Sequence, residues 1–305
     1  MIRKKIIALF LTILVCLPLF AVSPSVEAKK IAENEKVALQ VAEEGIVLLK
    51  NEHQCIPFSS DTKIGIYGKG RRSGYVPGGN GSGWVNTDVI INPFQGINNA
   101  IHKDKKFESV KILTSPSEEG MDKVIYVIAR GSSEGGDRTP TAGDYYLSDD
   151  EKNDISSLMK IYPKDLVVVL NVAGIIDTTW LLKQNVPSIM VLWLGGAMGG
   201  TALANVLSGD VSPSGKLADT WASDYNDYLS SAYFSDPLFV NYYEDIFVGY
   251  RQFETFDPQY KKVNFEFGFG LSYTDFHITT NSVSVNNGIV NVSVDVKNIG
   301  NTYSG

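Results

Sequence analysis

The sequence predicts an α/β fold in which helices cover both faces of a mostly parallel sheet. Short apolar runs rich in β-branched residues, such as 124–129 and 166–171, are typical of strands that are buried on both faces. Segments with helical spacing of apolar residues lie between these runs, and strands that alternate with helices indicate a layered α/β domain. From residue 277 the pattern changes to strict alternation, which predicts the start of an antiparallel β-sandwich.

The first elements are predicted from apolar spacing and from residues that break helices. Apolar residues at helical spacing predict one helix over 31–49, and Pro57 ends that segment. Residues 63–68 read as the first strand, and 93–101 as the next helix. Residues 110–113 form a possible short strand before the buried strand at 124–129.

The later elements continue the alternation of helices and strands. Ser148, followed by three acidic residues, is a typical helix start, because the hydroxyl caps the first turn and acids favour its positive end. The helix at 197–207 is rich in small residues and can lie close to the sheet. The remaining predicted elements are strand 166–171, a short helix at 178–183 and strand 189–193.

Two segments after residue 208 carry their own patterns. Residues 225–256 contain eleven aromatic side chains, most of which we expect to pack over the domain surface, with the rest available to stack on a ligand. Residues 283–296 alternate around Asn286, Asn287 and Gly288, which predicts a β-hairpin. Two strands are too few to close a sandwich, so we expect the chain to be cut off inside this domain.

Composition and the N-terminal segment bound the class of protein. The 305 residues carry a net charge of −7 with no offsetting basic patch, which argues against nucleic acid or an anionic membrane surface as partner. Residues 1–28 combine a basic start, an apolar stretch and a small-residue cleavage site, which predicts a secretory signal peptide and a secreted or extracytoplasmic protein. An uncleaved membrane anchor is the alternative. After cleavage Cys55 is a lone thiol, so we predict neither a disulfide framework nor a metal site.

The glycine-dense loop after the first strand invites comparison with dinucleotide-binding loops. Gly68 and Gly70 follow the strand, but the third glycine of the motif is replaced by Ser73. No helical pattern begins there, so the helix N-terminus that would hold a pyrophosphate is missing. The sequence therefore disfavours a nucleotide site, and we predict no cofactor.

Glu134 is the residue around which the functional interpretation is built. It lies in the loop 131–138, directly after the buried strand 124–129. Parallel sheets place their ligand sites at the carboxyl ends of strands, and the glycines of this loop let the backbone approach a ligand closely. A carboxylate held there could protonate a leaving group. The alternative is that Glu134 is a solvated loop residue.

Several motifs occur in an order that resembles glycoside hydrolase family 3, the β-glucosidases and β-xylosidases. The resemblance covers nearly the whole chain after the signal segment. The similar stretches are 44–51, the glycine-rich loop 78–83, the acid/base loop 133–138 (Ser-Glu-Gly-Gly-Asp-Arg), 143–148, 208–217, 243–251 and 265–273.

The resemblance implies a domain organisation and a reaction. Residues 29–276 would be the six-stranded α/β sandwich domain, and 277–305 the start of a fibronectin-III-like domain. In this family a TIM-like barrel supplies a nucleophilic aspartate and the sandwich domain supplies the general acid/base, which matches Glu134 here. The chain would then be part of a retaining, exo-acting, β-glucosidase-like enzyme that hydrolyses O-glycosyl bonds of β-linked oligosaccharides or glycosides.

Further roles follow from the same resemblance. Gly81 and Ser82 are assigned to the lining of the sugar pocket, with an ordinary turn as the alternative. Asp137 and Arg138 are expected to brace the loop as an ion pair rather than to contact sugar. Glu134 is preferred as acid/base over the other candidate glutamates, which are Glu118, Glu119 and Glu244.

The barrel implied by the family is missing from this chain. The sequence passes from the signal segment to the sandwich domain with only 29–37 between them, which resembles permuted members whose barrel comes last. Two functions stay open: one half of a glycosidase whose partner is the barrel, and a non-catalytic carbohydrate-binding or scaffold protein derived from the sandwich domain.

Overall fold

A six-stranded sheet lies at the centre of the chain. The computed structural model describes residues 33–300 except 82, 83, 85, 86, 235 and 237, so the predicted signal peptide at 1–28 and Ser82 lie outside the described residues. Every pair of neighbouring strands is parallel except β1 and β6, in the spatial order β1-β6-β5-β4-β2-β3. The strands are β1 (Val47–Asn51), β2 (Lys63–Tyr67), β3 (Ser109–Ile112), β4 (Lys123–Arg130), β5 (Leu166–Val172) and β6 (Ser188–Val191).

Helices cover both faces of this sheet, which confirms the predicted α/β class. Ile125 and Val127 of β4 pack in one core with the helices of one face, whereas Val124 and Ile128 pack in the other. Because both faces are buried, the strands need apolar residues at every position, and this explains their continuous apolar runs. The helices are α1 (described over 33–45), α2 (Pro93–Asp104), α3 (Asp149–Ile161), α4 (Thr179–Lys183), α5 (Gly199–Ser208) and α6 (Tyr250–Phe256).

The predicted first helix over 31–49 is wrong at its C-terminal end. Helix α1 ends at residue 45, and the chain enters β1 at Val47, antiparallel to β6 at the sheet edge. Residues 46–49 are all apolar and fully buried. A helix there would expose part of this run, whereas a strand covered on both faces buries all of it; the apolar period alone does not separate the two cases.

Helices α2 and α5 pack side by side at very short range on one face. A Cβ atom on Gly96 would lie 1.9 Å from the carbonyl oxygen of Gly200, so this contact requires glycine. The contact places the N-terminus of α2 beside the loop that precedes α5. Asn92 caps α2 through a capping box with Gln95.

Helix α3 starts as the sequence predicts. The Ser148 side chain accepts a hydrogen bond from the backbone of Glu151, and the Glu151 side chain accepts one from the backbone of Ser148. Three acidic residues occupy its first turn. Hydroxyl capping and the helix dipole therefore fix this helix start directly behind the loop that carries Glu134.

Most of the aromatic side chains between 225 and 256 do not pack as expected. Tyr228 and Phe253 pack edge to face, and Phe253 is buried. Fewer rings are packed than expected, because the described residues of 233–249 contain neither helix nor strand and lie on the domain surface, where several rings contact each other rather than the core. The exposed aromatic residues are Tyr233, Phe234, Phe239, Tyr242, Tyr243, Tyr250 and Phe256.

Two small antiparallel sheets complete the described chain. Strands β7 (Trp221–Ala222) and β8 (Val263–Phe265) pair beside the main sheet, and Trp221 is fully buried between Trp193 and Phe265. Strands β9 (Phe276–Asn286) and β10 (Ile289–Asn298) form the predicted hairpin. Both residues of its turn have positive φ, as the Asn-Gly pair predicts.

No helix among the described residues is long and apolar enough to cross a membrane.

Candidate active site

The loop that carries Glu134 lies at a point where the chain connections diverge. Strand β2 has β3 on one side and β4 on the other. The chain leaves β2 through α2 on one face of the sheet and leaves β4 through α3 on the opposite face. In open α/β sheets such a switch point leaves a crevice outside the carboxyl ends of the two strands. The loops after β2 and β4 form this crevice.

The two loops are joined beside Glu134. The backbone N–H of Asn80 donates a hydrogen bond of 3.1 Å to the carbonyl oxygen of Ser132. Gly81 has φ of +78°, and a Cβ atom added to it would lie 3.4 Å from Oε2 of Glu134. The glycine therefore allows the backbone of the β2 loop to approach the carboxylate closely. Gly81 thus lies beside the acid loop, while its role in lining a sugar pocket stays a prediction and Ser82 is not described.

Two arginines hold the Glu134 loop from both ends. Arg130, at the end of β4, is buried and donates bonds of 2.7 and 2.5 Å to the two carboxylate oxygens of Glu151 in α3. Its Nε also donates to the carbonyl oxygen of Asp144. Arg138 donates from Nε to Oδ1 of Asp144 at 2.7 Å and from Nη1 to the carbonyl oxygen of Ile175. Bidentate pairs of this kind fix position as well as charge.

The predicted ion pair between Asp137 and Arg138 is wrong in its partner. Arg138 pairs with Asp144, which follows it by six residues, and Asp137 is exposed beside a surface cavity. Adjacent residues in an extended loop point their side chains in different directions, and Asp144 also accepts hydrogen bonds from the backbone and hydroxyl of Thr139. The bracing role therefore belongs to Arg138 with Asp144.

The acidic partners of these arginines have pKa values below their ordinary range. Burial acts to raise the pKa of Glu151, but the hydrogen bonds and charge of Arg130 outweigh it and hold that pKa below its ordinary value. Burial likewise opposes, without cancelling, the Thr139 and Arg138 interactions that lower the pKa of Asp144. Neither carboxyl group is suited to donate a proton, and both serve to hold the loop.

Asn171 supports the loops around the candidate site, and the sequence analysis did not single it out. It is fully buried at the end of β5, and its amide accepts from the backbone N–H of Val76 and donates to the carbonyl oxygens of Val76 and Trp193. One side chain thus joins the β2 loop to the chain after β6. The signal available was a single polar residue in an otherwise apolar strand, because a buried amide must find partners.

Cavities flank the Glu134 loop on two sides. One, of about 630 Å³, is lined by residues that include Arg72, Asn80, Trp84 and Gly131. Another, of about 530 Å³, is lined by Asp137 and by the exposed aromatic segment. Glu134 itself is exposed. The crevice is therefore open to a ligand and has aromatic surface on both sides, of the kind that stacks on sugar rings.

The structure separates Glu134 from two of the other candidate glutamates. Glu118 pairs with Lys111 and accepts a hydrogen bond from the backbone of Thr114, and these interactions lower its pKa. Glu119 is exposed in the connection between β3 and β4. Glu244 lines the same cavity as Asp137, beside the Glu134 loop, but belongs to the aromatic segment and not to a loop after a strand of the sheet. Among the described residues, no three His, Cys, Asp or Glu side chains form a group that could hold a metal ion.

Comparison with known proteins decides the family. The sequence model of the glycosyl hydrolase family 3 C-terminal domain matches residues 46–273. The chain belongs to glycosyl hydrolase family 3. The match covers the whole six-stranded sheet of this family 3 domain and the aromatic segment after it, and it ends before the β9–β10 hairpin.

Proteins named as β-glucosidases are similar to the chain in sequence. β-Glucosidase A of Butyrivibrio fibrisolvens is 34% identical over 292 residues, which cover 79% of this chain and 35% of that protein. A β-glucosidase of Ruminococcus albus is also 34% identical and covers 86% of this chain and 30% of its own length. The family 3 chain thus spans about a third of these relatives.

Solved family 3 structures have the same fold. The crystal structure of a β-glucosidase from Paenibacillus barengoltzii superposes with a TM-score of 0.78 at 30% identity, over 88% of this chain and 33% of that one. β-Glucosidase 3B of Thermotoga neapolitana, solved in complex with glucose, gives 0.76 at 31% identity, over 88% of this chain and 42% of that one. The domain boundaries at 29–276 and 277–305 remain predictions beside these matches.

Proposed function

We propose that this chain is part of a retaining, exo-acting β-glycosidase of the β-glucosidase type, in which Glu134 is the general acid/base. The observation that carries the proposal is the position of Glu134: an exposed carboxylate in the crevice between the β2 and β4 loops, close against Gly81. Similarity to family 3 β-glucosidases supports the reaction class.

The reaction requires a second carboxyl group. In retaining hydrolysis two carboxyl groups about 5–5.5 Å apart share the work. One attacks the anomeric carbon while the other, here Glu134, gives its proton to the departing glycosidic oxygen. Glu134 then takes a proton from the water that attacks the glycosyl-enzyme, and is restored to its acid form. We assign the attacking carboxylate to a TIM-like barrel outside this chain.

In the proposed mechanism, the braced loop keeps the carboxyl group of Glu134 in a defined position. Arg130 and Arg138 hold the loop against α3 and against the chain at Ile175, while the backbone of Asn80 holds it from the crevice side. A general acid must stay within hydrogen-bond reach of the oxygen it protonates. Because the loop is fixed to both neighbouring elements, the barrel can dock against a carboxylate of defined position.

The experiment that tests this role uses the complete enzyme and the variant Glu134→Ala. Loss of an acid catalyst costs typically about 10²–10⁴-fold, and the loss depends on how strongly the leaving group needs a proton. Hydrolysis of an alkyl or sugar glycoside should fall sharply, whereas formation of the glycosyl-enzyme from a dinitrophenyl glycoside should fall much less. Added azide should restore turnover and give a glycosyl azide of retained configuration.

Glu119→Ala is the matched control, because Glu119 is an exposed glutamate of the same domain that lies outside the crevice. This variant should keep wild-type rates on both substrates. Equal loss of both activities in Glu134→Ala, without azide rescue, would remove Glu134 from the acid/base role. Sugar binding without hydrolysis by the complete protein would favour the carbohydrate-binding alternative.

We propose in addition that the protein is secreted through residues 1–28 and that residues 277–305 begin a fibronectin-III-like domain. The hairpin supports the second point, since its alternating aliphatic side chains form one face that a second sheet would cover. Cross-strand pairs on this face are Val285 with Val290 and Val283 with Val292. Extracytoplasmic location would be tested by N-terminal sequencing of the mature protein, with a first residue near Lys29 expected.

A further inference from the structure

A second cavity, which we term the cationic pocket, opens at the carboxyl ends of β2 and β3. It has a volume of about 450 Å³. Three of the residues that line it are cationic, in a chain whose net charge is −7. The residues that line it are Lys69, Arg71, Arg72, Ser73, Asn92 and Ile112.

None of the three cationic side chains forms an ion pair with a described residue. All eight ion pairs of the described chain involve other lysines and arginines. Nη1 of Arg71 donates to the carbonyl oxygen of Gly68, but its buried Nε has no hydrogen-bond partner within the part of the chain that the structure describes. Buried donors are nearly always satisfied, so this one indicates an acceptor that enters from outside.

The three cations stand on a fixed part of the backbone. Lys69 to Arg71 form a turn of 3-10 helix that starts at Gly68, where φ is +88°. A Cβ atom on Gly68 would lie 2.6 Å from the carbonyl oxygen of Val127, so the turn presses directly against β4. The guanidinium groups of Arg71 and Arg72 also lie over the rings of Tyr67 and Phe94. A ligand would therefore meet charges that are already in position.

The cationic pocket is continuous with the crevice beside Glu134. Arg72, Ser73 and Asn92 line both the cationic pocket and the cavity of about 630 Å³ that reaches Gly131. The amide oxygen of Asn92 is committed to the cap of α2. The side-chain donors that remain for a ligand are the three cationic side chains, the amide Nδ2 of Asn92 and the hydroxyl of Ser73.

We propose that the cationic pocket binds an anionic group, a carboxylate or a phosphate, carried by the glycoside whose bond Glu134 protonates. The substrate class is then an acidic glycoside, such as one that contains a uronic acid or a sugar phosphate. Guanidinium groups match the paired oxygens of both anions, and lysine adds a point charge. This proposal rests on the proposed function for the identity of the reaction, but the binding of the anion does not depend on it.

The test measures the binding of anions to residues 29–305 by isothermal titration calorimetry. Low ionic strength is used because charge screening is then weak. The probes are inorganic phosphate, D-glucuronate and neutral D-glucose. Phosphate or glucuronate should bind more tightly than glucose, and the tighter of the two identifies the anion. Arg72→Gln and Lys69→Gln, both at exposed positions, should each weaken that binding by about tenfold.

Lys164→Gln is the matched control, because Lys164 is an exposed lysine just before β5. It therefore lies at the amino ends of the strands, whereas the cationic pocket lies at their carboxyl ends. This variant should bind the probes as the wild type does. Binding of neither anion to the wild-type chain, or equal loss in all three variants, would overturn the proposal. Glu134→Gln should keep anion binding while it removes hydrolysis from the complete enzyme, so failure of the pocket and failure of the acid/base assignment give different results.

Discussion

At the residue scale, the pair between Arg130 and Glu151 links the end of β4 to the first turn of α3. The two side chains are 6% and 12% exposed. Removal of one member of a buried pair leaves an uncompensated charge, which costs about 3–5 kcal/mol. We therefore expect Arg130→Met to lower the free energy of unfolding by about that amount in urea titrations followed by circular dichroism.

The control for that variant is Lys63→Met, which removes a pair in the same sheet. Lys63 and Glu108 are about half exposed, and exposed pairs contribute about 0–1 kcal/mol. A similar cost for both substitutions would contradict the view that the buried pair holds the Glu134 loop.

The same pair predicts a dependence of stability on pH. The pKa of Glu151 is below its ordinary value in the folded chain, so the stabilisation it contributes is complete above the unfolded pKa of about 4.3 and is lost as pH falls through the lower folded pKa. The stability difference between wild type and Arg130→Met should therefore be largest near neutral pH and shrink as pH falls below the ordinary carboxyl pKa of about 4.3. Urea titrations at a series of pH values would measure it, and a difference that grows in acid would contradict the assignment.

At the scale of elements, the contact between α2 and α5 depends on one missing side chain. A methyl group on Gly96 would collide with the backbone of Gly200 and Thr201. Overpacking of this kind costs typically about 1–3 kcal/mol, and here the backbone itself must move. Gly96→Ala should therefore lower the melting temperature clearly. Gly45→Ala, where no atom lies within 4 Å of the added carbon, should leave it nearly unchanged.

Elements were predictable from the sequence where one physical signal dominated. Residues 124–129 of strand β4 are an unbroken apolar run. Ser148 and the three acidic residues after it satisfy the free N–H groups and the positive end of a helix, so they favour a helix start. Residues 46–49 were assigned to the wrong element because an all-apolar segment has no polar face to reveal its period. The exposure of Tyr242 and its neighbours was not predictable, since aromatic residues carry no mark that tells a core from an open surface.

In the candidate site, the position of Glu134 could be predicted from the sequence, but the contacts that hold its loop could not. The position of Glu134 after a buried strand follows from the sequence alone. The partner of Arg138 and the role of Asn171 depend on which loops meet across the sheet, and those contacts span 6 to 95 positions of the chain. Local patterns contain no information about contacts of that separation.

At the scale of the whole molecule, the chain supplies one of the two carboxyl groups that the proposed reaction needs. We expect residues 29–305, expressed alone, to show no measurable hydrolysis of aryl β-glucosides or β-xylosides, because the attacking carboxylate is assigned to another domain. A continuous assay of nitrophenol release would measure this. Turnover that disappears in Glu134→Ala would show that a second carboxylate inside this chain suffices.

The crevice between β2 and β4 exists because the chain departs to opposite faces after these two strands, and its walls come mainly from the loops that follow them, with Tyr75 as a link to one core. We expect residues 68–81 and 131–138 to be exchangeable between relatives, provided that the glycines at the sheet contact, Tyr75, Arg138 and the Asn171 amide are kept. Such transplants would move ligand preference from one scaffold to another while the melting behaviour of the sheet stays with the recipient. The fold thus separates what is recognised from what keeps the protein folded.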